Sequence, residues 1–172
     1  MWKQEKVEAQ VETLRLVKVS VAVSGGLAWH IMSPPHVESK KVHDHSDMDL
    51  FVSPLYANDV ISRLKTAGFN RCWSKYDGTQ GFYRYEKTTL QSMPGESEEK
   101  RVKTLIDLFV ENVPTINVSE FFVVDPPYLL RMYETKHASK ECVAVKAATE
   151  LIRRHINPVG RPELVGDFLC RP

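Results

Sequence analysis

Two carboxylates and a third stand where metal-assisted phosphate chemistry would need them. In HDHSDMDLFV, Asp47 and Asp49 are two residues apart at the mouth of an apolar run. If that run is a β-strand, both carboxylates project from one face, while Met48, Leu50 and Val52 anchor the other. Two such acids repel unless a cation compensates them. A hard divalent ion such as Mg²⁺ takes carboxylate oxygens and keeps positions open for substrate phosphates. The same spacing also suits a solvated turn at a strand start, so further residues must separate the two readings. Within VKTLIDLFV, Asp107 interrupts a second apolar run. A carboxylate there is costly to bury unless it is paired, solvated or metal-bound, which makes Asp107 a candidate third ligand. Alternation sets it on the face of Leu105 and Phe109, opposite Ile106, Leu108 and Val110. A salt-bridged acid near a strand end would serve it equally well.

A phosphate cradle precedes these acids. VSVAV (19–23) is a β-branched run ended by Ser24-Gly25-Gly26, after which LAWHIM reads as a short helix stopped by Pro34-Pro35. A strand-to-helix turn of this kind exposes backbone N–H groups and a helix N-terminus to an anion. Glycine there permits close approach.

The elements that must position these residues follow from pattern. Val7, Val11, Leu14 and Val17 repeat at helical spacing over 5–17, the mark of an amphipathic helix. HVESKKVHDHS (36–46) reads as a loop, MDLFV (48–52) as a buried strand, and 57–68 as a helix with Gly68 at its C-terminal cap. Strands NRCWSKY (70–76) and GFYRYEK (81–87) flank Asp77-Gly78, which predicts a tight antiparallel hairpin. QSMPGESEEKR (91–101) reads as a surface loop before the strand VKTLIDLFV (102–110). EFFVV (120–124) reads as a short strand. Asp125-Pro126-Pro127 is a favourable start for a long helix over about 127–154. Residues 1–156 are expected to form one domain and 157–172 a tail.

Composition sets the outer limits. The chain has 172 residues, 42% hydrophobic and 26% charged, enough for one folded domain and unlike a disordered or collagen-like chain. Its 23 basic and 22 acidic side chains give a net charge of +1, so no overall field draws it to nucleic acid or anionic lipid. Cys72, Cys142 and Cys170 are too scattered for a disulfide framework or a metal motif. With no signal-like N-terminus and no run of 18 apolar residues, a soluble cytoplasmic protein is expected, without membrane contact.

Taken together, VAVSGGLAWHIM, SDMDLFV and the later strand carrying a lone Asp resemble the DNA polymerase β-like nucleotidyltransferase superfamily. The similarity runs over about 19–110 and looks closest to small single-domain members related to antibiotic-modifying and toxin–antitoxin enzymes. The resemblance implies an α+β nucleotidyltransferase fold, a mixed β-sheet with helices packed on it. It also implies transfer of a nucleoside monophosphate from a nucleoside triphosphate, such as ATP, to a hydroxyl. On this likeness Ser24, Gly25 and Gly26 hold the triphosphate, and Asp47, Asp49 and Asp107 bind two Mg²⁺ ions. Asp107 also helps deprotonate the acceptor. Lys136, in LLRMYETKHASKE, matches a basic residue that meets phosphate or acceptor in relatives, with Lys140 one turn away. The acceptor is a small molecule, a protein hydroxyl or an RNA end, and a second copy or a partner protein is compatible with the fold. The chain departs from the pattern at Pro34-Pro35 and at His43-Asp44-His45-Ser46, where many relatives carry a basic residue and Ser or Thr.

Two rival readings remain. His43, His45 and Asp47 spell HxHxD, part of the HxHxDH signature of zinc hydrolases, although Met48 stands where that signature has its last His. Alternatively, the domain is a non-catalytic binding or regulatory module, because fold alone does not settle function. Trp29, Trp73, Phe82, Tyr83 and Tyr85 are candidates either for base stacking or for the core and cross-strand pairs.

Overall fold

The computed structural model describes residues 4–32, 47–91 and 100–136 and the positions 149, 150, 152, 153 and 156. Their order is α1 (Gln4–Val17), β1 (Val21–Ser24), α2 (Gly25–Met32), β2 (Met48–Val52), α3 (Ala57–Thr66), β3 (Asn70–Arg71), β4 (Phe82–Gln91), β5 (Lys100–Val110), β6 (Thr115–Val118), β7 (Phe121–Val124) and α4 (Pro126–Lys136). The expected loop 36–46, most of the expected helix beyond 136 and the expected tail 157–172 lie outside the described residues.

The fold is α+β, as expected: one seven-stranded mixed sheet in the order β3-β4-β5-β2-β1-β7-β6. β2 pairs antiparallel with β1 and parallel with β5, and β1 pairs parallel with β7. The strand bearing the Asp-x-Asp pair therefore lies at the middle of the sheet. Its alternation does what the sequence pattern requires: Met48, Leu50 and Val52 are buried, as are Val23, Ile106, Leu108 and Tyr85 on the same face. These side chains join Leu14 and Val17 of α1 and Val60 and Leu64 of α3 in one core. α1 packs on β5 and against α3, and α2 packs on β1 and β2.

Helix α3 ends as its sequence suggests. Gly68 follows the helix at φ +87 and donates to the Lys65 carbonyl at 2.9 Å, a left-handed cap that glycine adopts without a Cβ penalty. Around Asp77-Gly78 the structure differs from the expected hairpin. The first strand shrinks to Asn70–Arg71, and residues 72–81 form a longer connection. The cause is local side-chain competition. Asp77 Oδ2 accepts from the Ser74 N–H at 3.0 Å, Ser74 Oγ accepts from the Tyr76 N–H at 3.3 Å, and the Asp77 N–H donates to the Ser74 carbonyl at 2.9 Å. These bonds offer the backbone a turn in place of a ladder. Strand β6 was not anticipated. It forms a tight hairpin with β7 through Ser119, a non-glycine residue at φ 57.

No helix among the described residues is long and apolar enough to cross a membrane. Of the three cysteines, Cys72 is described and is a free thiol whose pKa burial pushes up.

Candidate active site

A single row of residues runs across the face of the sheet opposite the main core. Strand register sets Ser24 beside Asp49, Asp49 beside Asp107, and Asp107 beside Arg84. Neighbours in register share a face, so β1, β2, β5 and β4 each contribute one side chain to the row. Asp47 stands two residues before Asp49 and therefore on the same side. The three candidate acids are brought together by pairing between strands far apart in sequence.

Asp107 is 5% exposed, and a bare carboxylate so deep in the sheet would be costly. Arg84 compensates it. Its Nε donates to Asp107 Oδ1 at 2.5 Å and its Nη2 to Asp107 Oδ2 at 2.6 Å, a two-pronged pair, while Nη2 also reaches Asp47 Oδ2 at 3.0 Å. The bond to Asp107 raises the pKa of the guanidinium above its already high value, against the opposing effect of burial, so Arg84 is always charged. Sequence reasoning missed this residue. Within GFYRYEK it reads as an ordinary strand cation, and only the pairing of β4 with β5 sets it beside Asp107.

Ser24 is buried at the end of β1, and α2 begins at once with Gly25, so the glycines form the first turn of the helix. Gly25 has φ +60, and a Cβ there would collide with Oδ2 of Asp49. The α2 N-terminus and the second acid of the pair are thus in contact because residue 25 lacks a side chain. Gly25→Ala is expected to cost about 1–3 kcal/mol from left-handed strain, and more from the displaced carboxylate. Urea unfolding measures this, and an unchanged midpoint would contradict the close approach.

Helix α4 brings Tyr133 to the same site. Burial pushes its hydroxyl pKa well above the ordinary value, and the negative charge of Asp49 adds to the rise. Because the folded pKa lies above the unfolded one, stability is intact below about pH 10 and falls as pH rises past it. Wild type should therefore lose stability more steeply at alkaline pH than Tyr133→Phe. Parallel melting profiles for the two would contradict this. Lys136 belongs to the last turn of α4, and its side chain, like Lys140, lies outside the described residues.

Three carboxylates on one face form an all-oxygen donor set suited to a hard divalent cation. With Asp47 and Asp107 turned onto Arg84, no group of three or more acidic, His or Cys residues is converged as a metal cage among the described residues. The donor chemistry fits Mg²⁺, and the guanidinium competes for two of its three acids. His43 and His45 of the zinc reading lie outside the described residues. The five aromatics considered for stacking do not form one platform. Phe82 shares the face of Arg84, Tyr83 and Tyr85 take the opposite face, Trp29 is buried in α2, and Trp73 is exposed.

No protein-family model matches the chain, and no curated protein does. Among solved structures it is similar to JHP933 from Helicobacter pylori, at 13% identity and TM-score 0.49, covering 95% of this chain and 70% of that one. It is also similar to the Megavirus polyadenylate synthase, at 12% identity and TM-score 0.48, covering 92% of this chain and 35% of that one. A third similarity is to Cid1 in complex with the UTP analog UMPNPP, at 14% identity and TM-score 0.34, covering 62% of this chain and 31% of that one. The chain spans about a third of the length of these last two proteins.

Proposed function

We propose that the protein is a nucleotidyltransferase of the DNA polymerase β-like type, which uses Mg²⁺ to move a nucleoside monophosphate from a nucleoside triphosphate to a hydroxyl acceptor, breaking the bond between the α- and β-phosphates and releasing pyrophosphate. The observation that supports this reading is the register row of Ser24, Asp49, Asp107 and Arg84, with Asp47 on the same face and Gly25 against Asp49. An apolar sheet tolerates such a concentration of charge only where cations balance it.

In this reading the N–H groups of Gly25 and Gly26, at the start of α2, hold the triphosphate with Ser24, where the helix dipole favours an anion. Asp47, Asp49 and Asp107 would hold Mg²⁺, which when bound neutralises phosphate charge and favours in-line displacement. Asp107, the most deeply set of the three, takes the proton of the acceptor hydroxyl. Lys136 contributes a positive charge toward phosphate. Positioning and charge compensation then account for most of the catalysis. The acceptor is a small molecule, a protein hydroxyl or an RNA end.

A nucleotide-binding module without turnover is the second reading, favoured by the hold of Arg84 on Asp47 and Asp107. Melting temperatures with ATP, GTP, CTP and UTP, with and without Mg²⁺, test binding for both. Ligand at about 100 times its Kd adds about 2.7 kcal/mol, roughly 5–10 °C for a chain of this size. The expected result is a Mg²⁺-dependent rise that Asp47→Ala abolishes. No rise with any nucleotide would contradict the proposal.

A further inference from the structure

The acid row borders a second row of another kind. Two residues along each strand, on the same face, Phe82, Phe109 and Phe51 lie in register across β4, β5 and β2. Their rings are in contact, with centroids 5.3 Å apart for Phe82 and Phe109 and 5.0 Å apart, nearly parallel, for Phe109 and Phe51. Beside Phe51 opens a cavity of about 290 Å³ lined by Phe51, Glu111, Tyr128, Arg131, Met132 and Thr135. Tyr128, Arg131, Met132 and Thr135 are spaced i, i+3, i+4 and i+7, so one face of α4 forms the wall. Glu111 follows β5 and is fixed by its N–H, which donates to the Val52 carbonyl at 2.9 Å. The same helix sets Tyr133 under the influence of Asp49, so α4 borders both the acid row and the cavity.

We propose that this cleft receives the base of the donor nucleotide and that Glu111 and Arg131 select guanine. The proposal rests on the reading of the acid row as a triphosphate and metal site. Distance is its first support. Asp49 and Phe51 are two strand residues apart, about 6.6 Å at 3.3 Å per residue, comparable to the width of the ribose that separates a phosphate from its base. Size is the second. The cavity lies at the lower limit of small-molecule pockets and suits one heterocycle, with the sugar and phosphates extending toward the acid row. Chemistry is the third. Phe51, Met132 and Tyr128 offer apolar and aromatic surface to a flat ring, and Arg131 already lies over the Tyr128 ring at 5.6 Å. A Glu111 carboxylate has two acceptor oxygens for the paired N1–H and N2–H of guanine, and the Arg131 guanidinium donates to O6. Adenine presents an acceptor at N1, which the carboxylate repels, and uracil flanks its single N–H with two carbonyl oxygens.

Equilibrium binding with Mg²⁺ tests this on the full chain, using GTP, ATP, CTP, UTP and inorganic triphosphate with wild type, Glu111→Gln and Tyr128→Leu. Wild type should prefer GTP by about tenfold or more, the effect of one good two-pronged contact. Glu111→Gln should erase that preference, and Tyr128→Leu should weaken all four nucleotides. Neither should alter the affinity for inorganic triphosphate, which has no base. Nucleotide affinities unmoved by both variants, or a preference for another base, would overturn the base cleft and leave the acid row standing. Failure of wild type to bind any nucleotide or inorganic triphosphate would overturn both.

Discussion

Arg84→Gln is expected to destabilise the protein by about 2 kcal/mol in the presence of a chelator and to make its stability depend on Mg²⁺. Removing one partner of a buried charge pair typically costs about 3–5 kcal/mol, and the figure is lowered here because the Arg84 side chain is 23% exposed. The loss has a definite origin. Without the guanidinium, Asp107 keeps no cation among the described residues, and Asp47 and Asp49 add like charge on the same face. A divalent cation then substitutes for the missing charge. The melting temperature of the variant should fall by about 4–8 °C without metal and recover by several degrees as Mg²⁺ is added, with wild type responding less. A variant as stable as wild type in chelator, or one that Mg²⁺ does not rescue, would show that Arg84 is not the counter-ion of these acids.

Asp49→Asn should separate stability from activity. The substitution keeps the shape of the side chain against Gly25 and removes one of three clustered negative charges. Folding stability should stay level or rise, since strained charge clusters at functional sites are held at a cost to stability. Nucleotidyl transfer should fall by more than about 100-fold, because even residues that only support a metal ligand cost about 10–100-fold when changed. Paired melting and turnover measurements decide it. Loss of both together would mark Asp49 as a structural residue, and retention of both would remove it from the site.

Much of this arrangement is legible in the sequence. The alternation of Met48, Leu50 and Val52 fixes which way Asp47 and Asp49 project, and helical spacing through Leu14 and Val17 or Val60 and Leu64 identifies α1 and α3. The lone Asp107 in an apolar strand announces that a partner must exist. Its partner was not legible, because the pairing of β4 with β5 is a long-range property and Arg84 read locally as an ordinary strand residue. The short first strand of the expected hairpin was lost for the opposite reason: Ser74 and Asp77 act over three residues, and their bonds to the backbone outcompete the turn preference of Asp77-Gly78. Strand β6 follows Pro114 and alternates between exposed and half-buried positions, so its four residues carry little hydrophobic signal. The parallel register of β2 with β5, which brings Asp49 level with Asp107, depends on the whole sheet and on no local motif.

The central claim is that Asp47, Asp49 and Asp107 serve the transfer of a nucleoside monophosphate. The most direct measurement is release of pyrophosphate from each of the four nucleoside triphosphates, with label from the α-phosphate followed into product, in the presence of Mg²⁺ and candidate hydroxyl acceptors. The account predicts Mg²⁺-dependent release with stoichiometric labelling of an acceptor, lost in Asp49→Asn while that variant remains folded. Tight, Mg²⁺-dependent nucleotide binding by wild type with no pyrophosphate released for any donor or acceptor would contradict it and leave a binding module in its place.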